Sequence, residues 1–165
     1  MTSPRSTART ARWNMGRISV AVDIGAPPDV VWDVIEPLED HPDWMHDAVS
    51  VRFATDQTRG VGTRTVVATK VGPLRLTDHM TVTEWEPGAS MGVEHTGVVT
   101  GSGRFTLRRN GLGGTTFSWD EELHFPWWLG GPLGALVGGR VLAAIWRRNL
   151  RGLKALVEDG RPPAA

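Results

Sequence analysis

Cysteine is absent from the 165 residues. Disulfides and thiolate zinc sites are therefore excluded, although the compartment is not fixed by that absence. Tyrosine is absent too. Without a phenol, any proton transfer falls to His, Asp, Glu, Lys or water. Net charge is also missing, because 18 Lys and Arg balance 18 Asp and Glu. A neutral chain exerts no global pull on nucleic acid, so no nucleic-acid partner is expected. No run of about 18 apolar residues offers a membrane span. Residues 1–12 carry three Arg and no acid, but lack the apolar h-region of a signal peptide. A cytoplasmic protein is expected, and the oligomeric state is not legible.

What is abundant is tryptophan, with eight Trp beside four Phe. The length suits one domain with a real core. The expected organisation is a disordered arm over 1–14, a single domain over 15–159 and a disordered tail over 160–165. Ile18, Val20, Val22 and Ile24 alternate, which predicts a half-buried strand from Arg17 to Ile24. Pro28 and Asp29 suit the first turn of a helix that Pro37 stops. A second short helix is expected over His41 to Ala48. From Val49 to Phe125 six strands are expected: Ser50 to Thr55, Thr63 to Val71, Leu74 to Trp85, Ser90 to His95, Ser102 to Arg109 and Thr115 to Phe125. Gly- and Pro-bearing turns separate them, which makes an antiparallel meander. From Pro132, the row Leu142, Trp146, Leu150, Leu153 and Val157 gives the apolar stripe of a long helix lying on a sheet. Val137, Val141 and Ile145 form an adjoining row.

This order resembles the START-like helix-grip superfamily, also called SRPBCC, and in particular its polyketide cyclase/dehydrase and lipid transport branch. The residues that carry the resemblance are Ile24-Gly-Ala-Pro-Pro-Asp-Val-Val-Trp32, His41-Pro-Asp-Trp44, Gly60-Val-Gly-Thr63, Trp85-Glu-Pro-Gly88, Gly114-Thr-Thr-Phe-Ser-Trp119 and the Gly131-Pro-Leu-Gly134 lead into the last helix. The resemblance covers roughly residues 17–158. It implies an α+β helix-grip fold: a seven-stranded antiparallel sheet wrapped around a long C-terminal helix, with two short helices after the first strand. It also implies an internal hydrophobic cavity. The superfamily holds lipid carriers, cyclases, dehydrases and hormone receptors, so fold alone does not fix function. No Cys-His Rieske motif links this chain to the oxygenase subunits of that superfamily.

On the last strand, Phe117, Trp119, Glu121, Leu123 and Phe125 share one face, which points Glu121 inward. A carboxylate among such side chains is costly to ionise. It serves as an acid or a ligand anchor, or else reaches the barrel mouth or an Arg. His95 shares a face with Met91 and Val93 and is the second candidate, catalytic or structural. Together they offer acid–base chemistry for enolisation, aldol-type closure or dehydration. Of His79 and Met80 only one faces inward, and alternation favours Met80. The expected cavity lining is Trp44, Phe53, Met80, Val93, Phe105, Trp119, Leu123, Leu133, Val137 and Val141. Its aromatics, Trp44, Phe53, Phe105 and Trp119, also read as ordinary core. His41 and His46 do not share a helix face, and no metal site is expected. Trp127 and Trp128 form either an apolar lip suited to transient membrane contact or a packed pair.

Two functions follow. One is binding or carriage of a lipid, isoprenoid quinone or polyketide-like molecule, bound by apolar burial at roughly 25 cal/mol per Å². The other is a cyclase or dehydratase that uses Glu121 and His95. Neither calls for a cofactor.

Overall fold

The computed structural model describes residues 12–97, 99–126 and 131–160, with side chains for 17–97, 99–125 and 138–160. Seven antiparallel strands form one sheet: β1 (Arg12–Ile24), β2 (Ala48–Phe53), β3 (Arg64–Val71), β4 (Leu74–Glu86), β5 (Ser90–Gly97), β6 (Thr100–Arg109) and β7 (Thr115–Pro126). Their order across the sheet is β1-β7-β6-β5-β4-β3-β2. Every neighbour except β1 beside β7 is thus a sequence neighbour, as the tight Gly and Pro turns dictate. Helix α1 (Pro28–Ile35) and a 3-10 helix (Leu38–Asp43) follow β1, and α2 (Gly131–Asp159) closes the chain. None of the described helices is long and apolar enough to cross a membrane.

Local chemistry accounts for the elements. Helix α1 starts with Pro28, whose missing N–H costs nothing in the first turn, and carries Asp29 beside the positive end of the dipole. It buries Val31, Trp32 and Ile35, and the Glu36 N–H closes on Trp32 O before Pro37. Helix α2 lies against the sheet with Trp146, Leu150 and Leu153 buried. Its anchor is a stacked pair, Trp119 on β7 and Trp146 on α2, with ring centroids 5.1 Å apart. The last turn of α2 is tied to the end of β1. Glu158 Oε1 accepts the Gly25 N–H at 2.6 Å, and Lys154 Nζ donates to Asp23 O at 2.7 Å.

Most strand ends fall within two residues of the sequence-based expectation, β2 for example spanning Ala48–Phe53 where Ser50 to Thr55 is expected, but two elements differ by more. Strand β1 begins at Arg12 rather than Arg17 and takes in residues 12–14 of the expected arm. Backbone pairing of Arg12, Trp13 and Asn14 with Pro126, Phe125 and His124 needs no side-chain alternation, and an irregularity between Asn14 and Arg17 interrupts the period. The second short helix is a 3-10 helix that ends at Asp43, where a helix from His41 to Ala48 is expected. Pro42 lies inside it and lacks the N–H that an α-helix would use.

Candidate functional site

The sheet and α2 enclose a cavity of about 320 Å³. Val67, Met80, Val82, Met91 and Val93 form much of its wall, and Leu142 and Trp146 close it from α2. Leu74, at the start of β4, and Val141, on α2, are lining residues that are 40% and 44% exposed.

Of the residues expected to line it, Met80, Val93, Phe105, Trp119, Leu123 and Val141 do so, and His95 and Glu121 stand in the same wall. His79 is exposed on the opposite face of β4. Trp44 and Phe53 are not among the lining residues. Trp44 caps the 3-10 helix, and its fully buried ring packs 6.0 Å from Phe105 and 6.3 Å from Trp119, inside the core rather than at its surface. Phe53 ends edge strand β2 and packs against the core there, while Val51 of the same strand reaches the cavity. The side chains of Leu133 and Val137, and all of Trp127 and Trp128, lie outside the described residues.

The polar centre is the contact between His95 and Glu121. His95 Nε2 lies 3.3 Å from Glu121 Oε2, with side chains only 9% and 6% exposed. The other carboxylate oxygen, Oε1, accepts the indole N–H of Trp119 at 2.9 Å. Sequence patterning offers Glu121 and His95 as an acid–base pair on separate strands without fixing their separation; the fold brings them into contact and adds the Trp119 indole as a second partner of the carboxylate. Geometry explains how they meet. His95 is on β5 and Glu121 on β7, with β6 between them. Backbones two strands apart are separated by about 9–10 Å. On β6, Gly101 pairs with His95 and Gly103 pairs with Glu121. A Cβ on Gly103 would collide with the Glu121 carboxylate, and one on Gly101 would collide with the backbone carbonyl of Glu122. Gly103 thus leaves room over β6 for the Glu121 carboxylate that meets His95, while Gly101 answers a close approach of the β7 backbone.

A third ionisable residue joins them. Asp78 on β4 is buried in the same wall, and sequence patterning did not single it out. The signal was present, since Asp78 has the same parity as Met80 and Val82. Its Oδ2 receives a long 3.5 Å hydrogen bond from Thr69 Oγ1. Asp78 Oδ1, His95 Nε2 and Glu121 Oε2 are buried with no hydrogen-bond partner among the described residues. Burial pushes the Asp78 carboxyl above the usual carboxylate range, with His95 opposing. Burial also works against an imidazolium at His95, but the neighbouring Glu121 and then Asp78 outweigh it and hold its pKa above the ordinary histidine value. His95 Nε2 and Glu121 Oε2 answer each other across 3.3 Å, whereas Asp78 Oδ1 faces no partner among the described residues, and an unpaired buried polar atom costs about 1–3 kcal/mol.

Other polar groups are already engaged, His41 and Arg104 in the cavity wall and Asn149 outside it. His41 Nε2 sits 2.8 Å from Ile35 O, and burial first of all lowers its pKa, so this is a structural, neutral imidazole. Asn149, fully buried on α2, accepts the His46 N–H at 2.9 Å and donates to Asp47 Oδ1 at 2.6 Å. That tie holds the segment after the 3-10 helix against α2. Arg104 touches the cavity, but its guanidinium forms a two-pronged pair with Glu84 at 2.7 and 2.6 Å.

The sequence profile described as polyketide cyclase/dehydrase and lipid transport matches residues 15–158. Among curated proteins none matches this chain. Solved structures share the fold at low identity. One is a protein of Thermus thermophilus, 16% identical with a TM-score of 0.77, covering 88% of this chain and 99% of that one. Another is a START superfamily protein from Mycobacterium smegmatis, 12% identical with a TM-score of 0.73 and coverages of 88% and 99%. The Zhui aromatase/cyclase from Streptomyces sp. R1128 is 17% identical with a TM-score of 0.65, over 87% of this chain and 92% of that one.

Proposed function

Because the chain belongs to the polyketide cyclase/dehydrase and lipid transport family, we propose that it encloses an apolar small molecule between sheet and α2 and holds its polar end at His95 and Glu121. The ligand class is a lipid, an isoprenoid quinone or a polyketide-like chain, and the setting is the cytoplasm. One observation carries this reading: an otherwise apolar cavity of about 320 Å³ has a buried His–Glu contact in its wall with hydrogen-bonding capacity left over. Pockets that hold small molecules span about 300–1,000 Å³ and combine apolar walls with a few convergent polar groups. Apolar burial supplies affinity, and the polar groups orient the ligand.

The His95–Glu121 contact favours a second reading, in which the bound molecule also reacts. An imidazolium at His95 would donate to a substrate carbonyl while a carboxylate removes a proton from the adjacent carbon, as cyclisation and dehydration require. Native mass spectrometry of the freshly purified protein, followed by organic extraction, tests the first reading. A stoichiometric added mass of an apolar molecule supports it. A protein that carries nothing and takes up no apolar molecule sinks it. Glu121→Gln separates the two readings, because it abolishes turnover if Glu121 moves a proton and only weakens retention if Glu121 anchors a ligand.

A further inference from the structure

We propose that the cavity selects its ligand by head group, accepting an apolar tail that ends in a hydrogen-bond donor (alcohol, phenol or protonated amine) and rejecting the carboxylate of the same tail. The inference rests on the cavity-binding reading and adds to it the charge of the ligand.

Three carboxyl groups, Asp47, Asp78 and Glu121, line the cavity. Only His95 and Arg104 could answer them from within the described lining once His41 is tied to the Ile35 carbonyl. Arg104 is committed to Glu84 through both prongs of its guanidinium. Residues 126–137 contribute no charge, since that stretch contains no Asp, Glu, Lys, Arg or His. His95 is therefore the one positive group left to the described lining, and it already faces Glu121 at 3.3 Å with Asp78 nearby. A ligand carboxylate would add a further negative charge where solvent screening is weak, and such like-charge contacts are costly.

A donor has the opposite prospect. Asp78 Oδ1 is a buried acceptor without a hydrogen-bond partner among the described residues, and Glu121 Oε2 has only the 3.3 Å contact with His95. A hydroxyl or ammonium reaching either one removes the penalty of an unmet acceptor and forms a charge-assisted hydrogen bond. Asp78 is the specificity residue here, because both Glu121 oxygens already face a protein group, Trp119 and His95, whereas Asp78 Oδ1 faces none among the described residues, its other contacts being the long bond from Thr69 and the Val99 backbone.

Three probes with one tail test this: decan-1-ol, decan-1-amine and decanoate, titrated at pH 7 into the full-length protein. The fluorescence of the lining residues Trp119 and Trp146 reports binding. The expected result is that the alcohol and the amine each bind at least about tenfold tighter than decanoate. A merely apolar cavity disfavours both ions alike, so an amine as weak as decanoate overturns the proposal. Decanoate binding as tightly as decan-1-ol overturns it equally. If none of the three binds, the cavity-binding reading itself fails, and the selectivity falls with it. Asp78→Asn should erase the advantage of the amine over decanoate, and an advantage that persists in the folded variant places the discrimination elsewhere. The order of the three probes on the wild-type protein decides the matter even if that variant does not fold.

Discussion

His95 on β5 and Glu121 on β7 touch at 3.3 Å across β6, a strand to which neither belongs. The outer face repeats the arrangement. Glu84 on β4 pairs in register with Gly92 on β5, which pairs with Arg104 on β6, and the two charges join over the glycine. In both cases a residue without a side chain lets its neighbours interact at a distance that ordinary cross-strand pairing does not allow.

Gly103→Ala places a methyl group where the Glu121 carboxylate lies. We expect a loss of about 1–3 kcal/mol of stability, the usual cost of overpacking. Adding Glu121→Ala should recover much of it, so the double variant loses less than the sum of the single ones. Urea unfolding of all four proteins measures the coupling, and strict additivity would show that Gly103 does not serve the contact.

The His95 ring should titrate above the ordinary histidine value of about 6.5, because Glu121 and Asp78 favour its charged form despite burial. Its folded pKa is raised, so the stability it contributes is fully present below the unfolded pKa. That contribution is lost as pH rises through the folded value. In Glu121→Gln the opposing charge is weakened, burial prevails and the pKa should fall. Proton NMR of the ring signals follows both proteins, and an unchanged His95 titration in the variant would contradict the assigned cause.

Arg104 holds Glu84 at a pKa of about 2, chiefly by hydrogen bonding, with Ser90 contributing. Because this folded pKa is depressed, the stabilisation is present above the unfolded value and is lost as pH falls from about 4.5 towards 2. The pair is half exposed, so Arg104→Ala should cost about 1 kcal/mol at pH 7, the upper end for a surface pair. That cost should shrink at pH 3. Denaturant melts at the two pH values compare it directly.

Asn149→Ala would strand the His46 N–H and remove the donor to Asp47 in a fully buried position. A destabilisation of about 1–3 kcal/mol is expected. Faster amide exchange at His46, with the β4–β5 amides unaffected, would locate the effect in the segment after the 3-10 helix.

Which residues face inward was legible in the sequence, because alternation along a strand and the 3.6-residue period of a helix are local properties. They gave Glu121 and His95 their inward faces, Met80 its place ahead of His79, and α2 the stripe through Trp146, Leu150 and Leu153 that meets the sheet. Asp78 was equally readable by parity. What tertiary structure alone decided is which of those faces meet. The 3.3 Å contact depends on the registers of β5 with β6 and of β6 with β7, and on Gly103 in the strand between. Trp44 turned into the core and Phe53 stayed at the end of an edge strand for the same kind of reason. Periodicity sets the direction of a side chain, but distance is set by pairing between segments far apart in the chain.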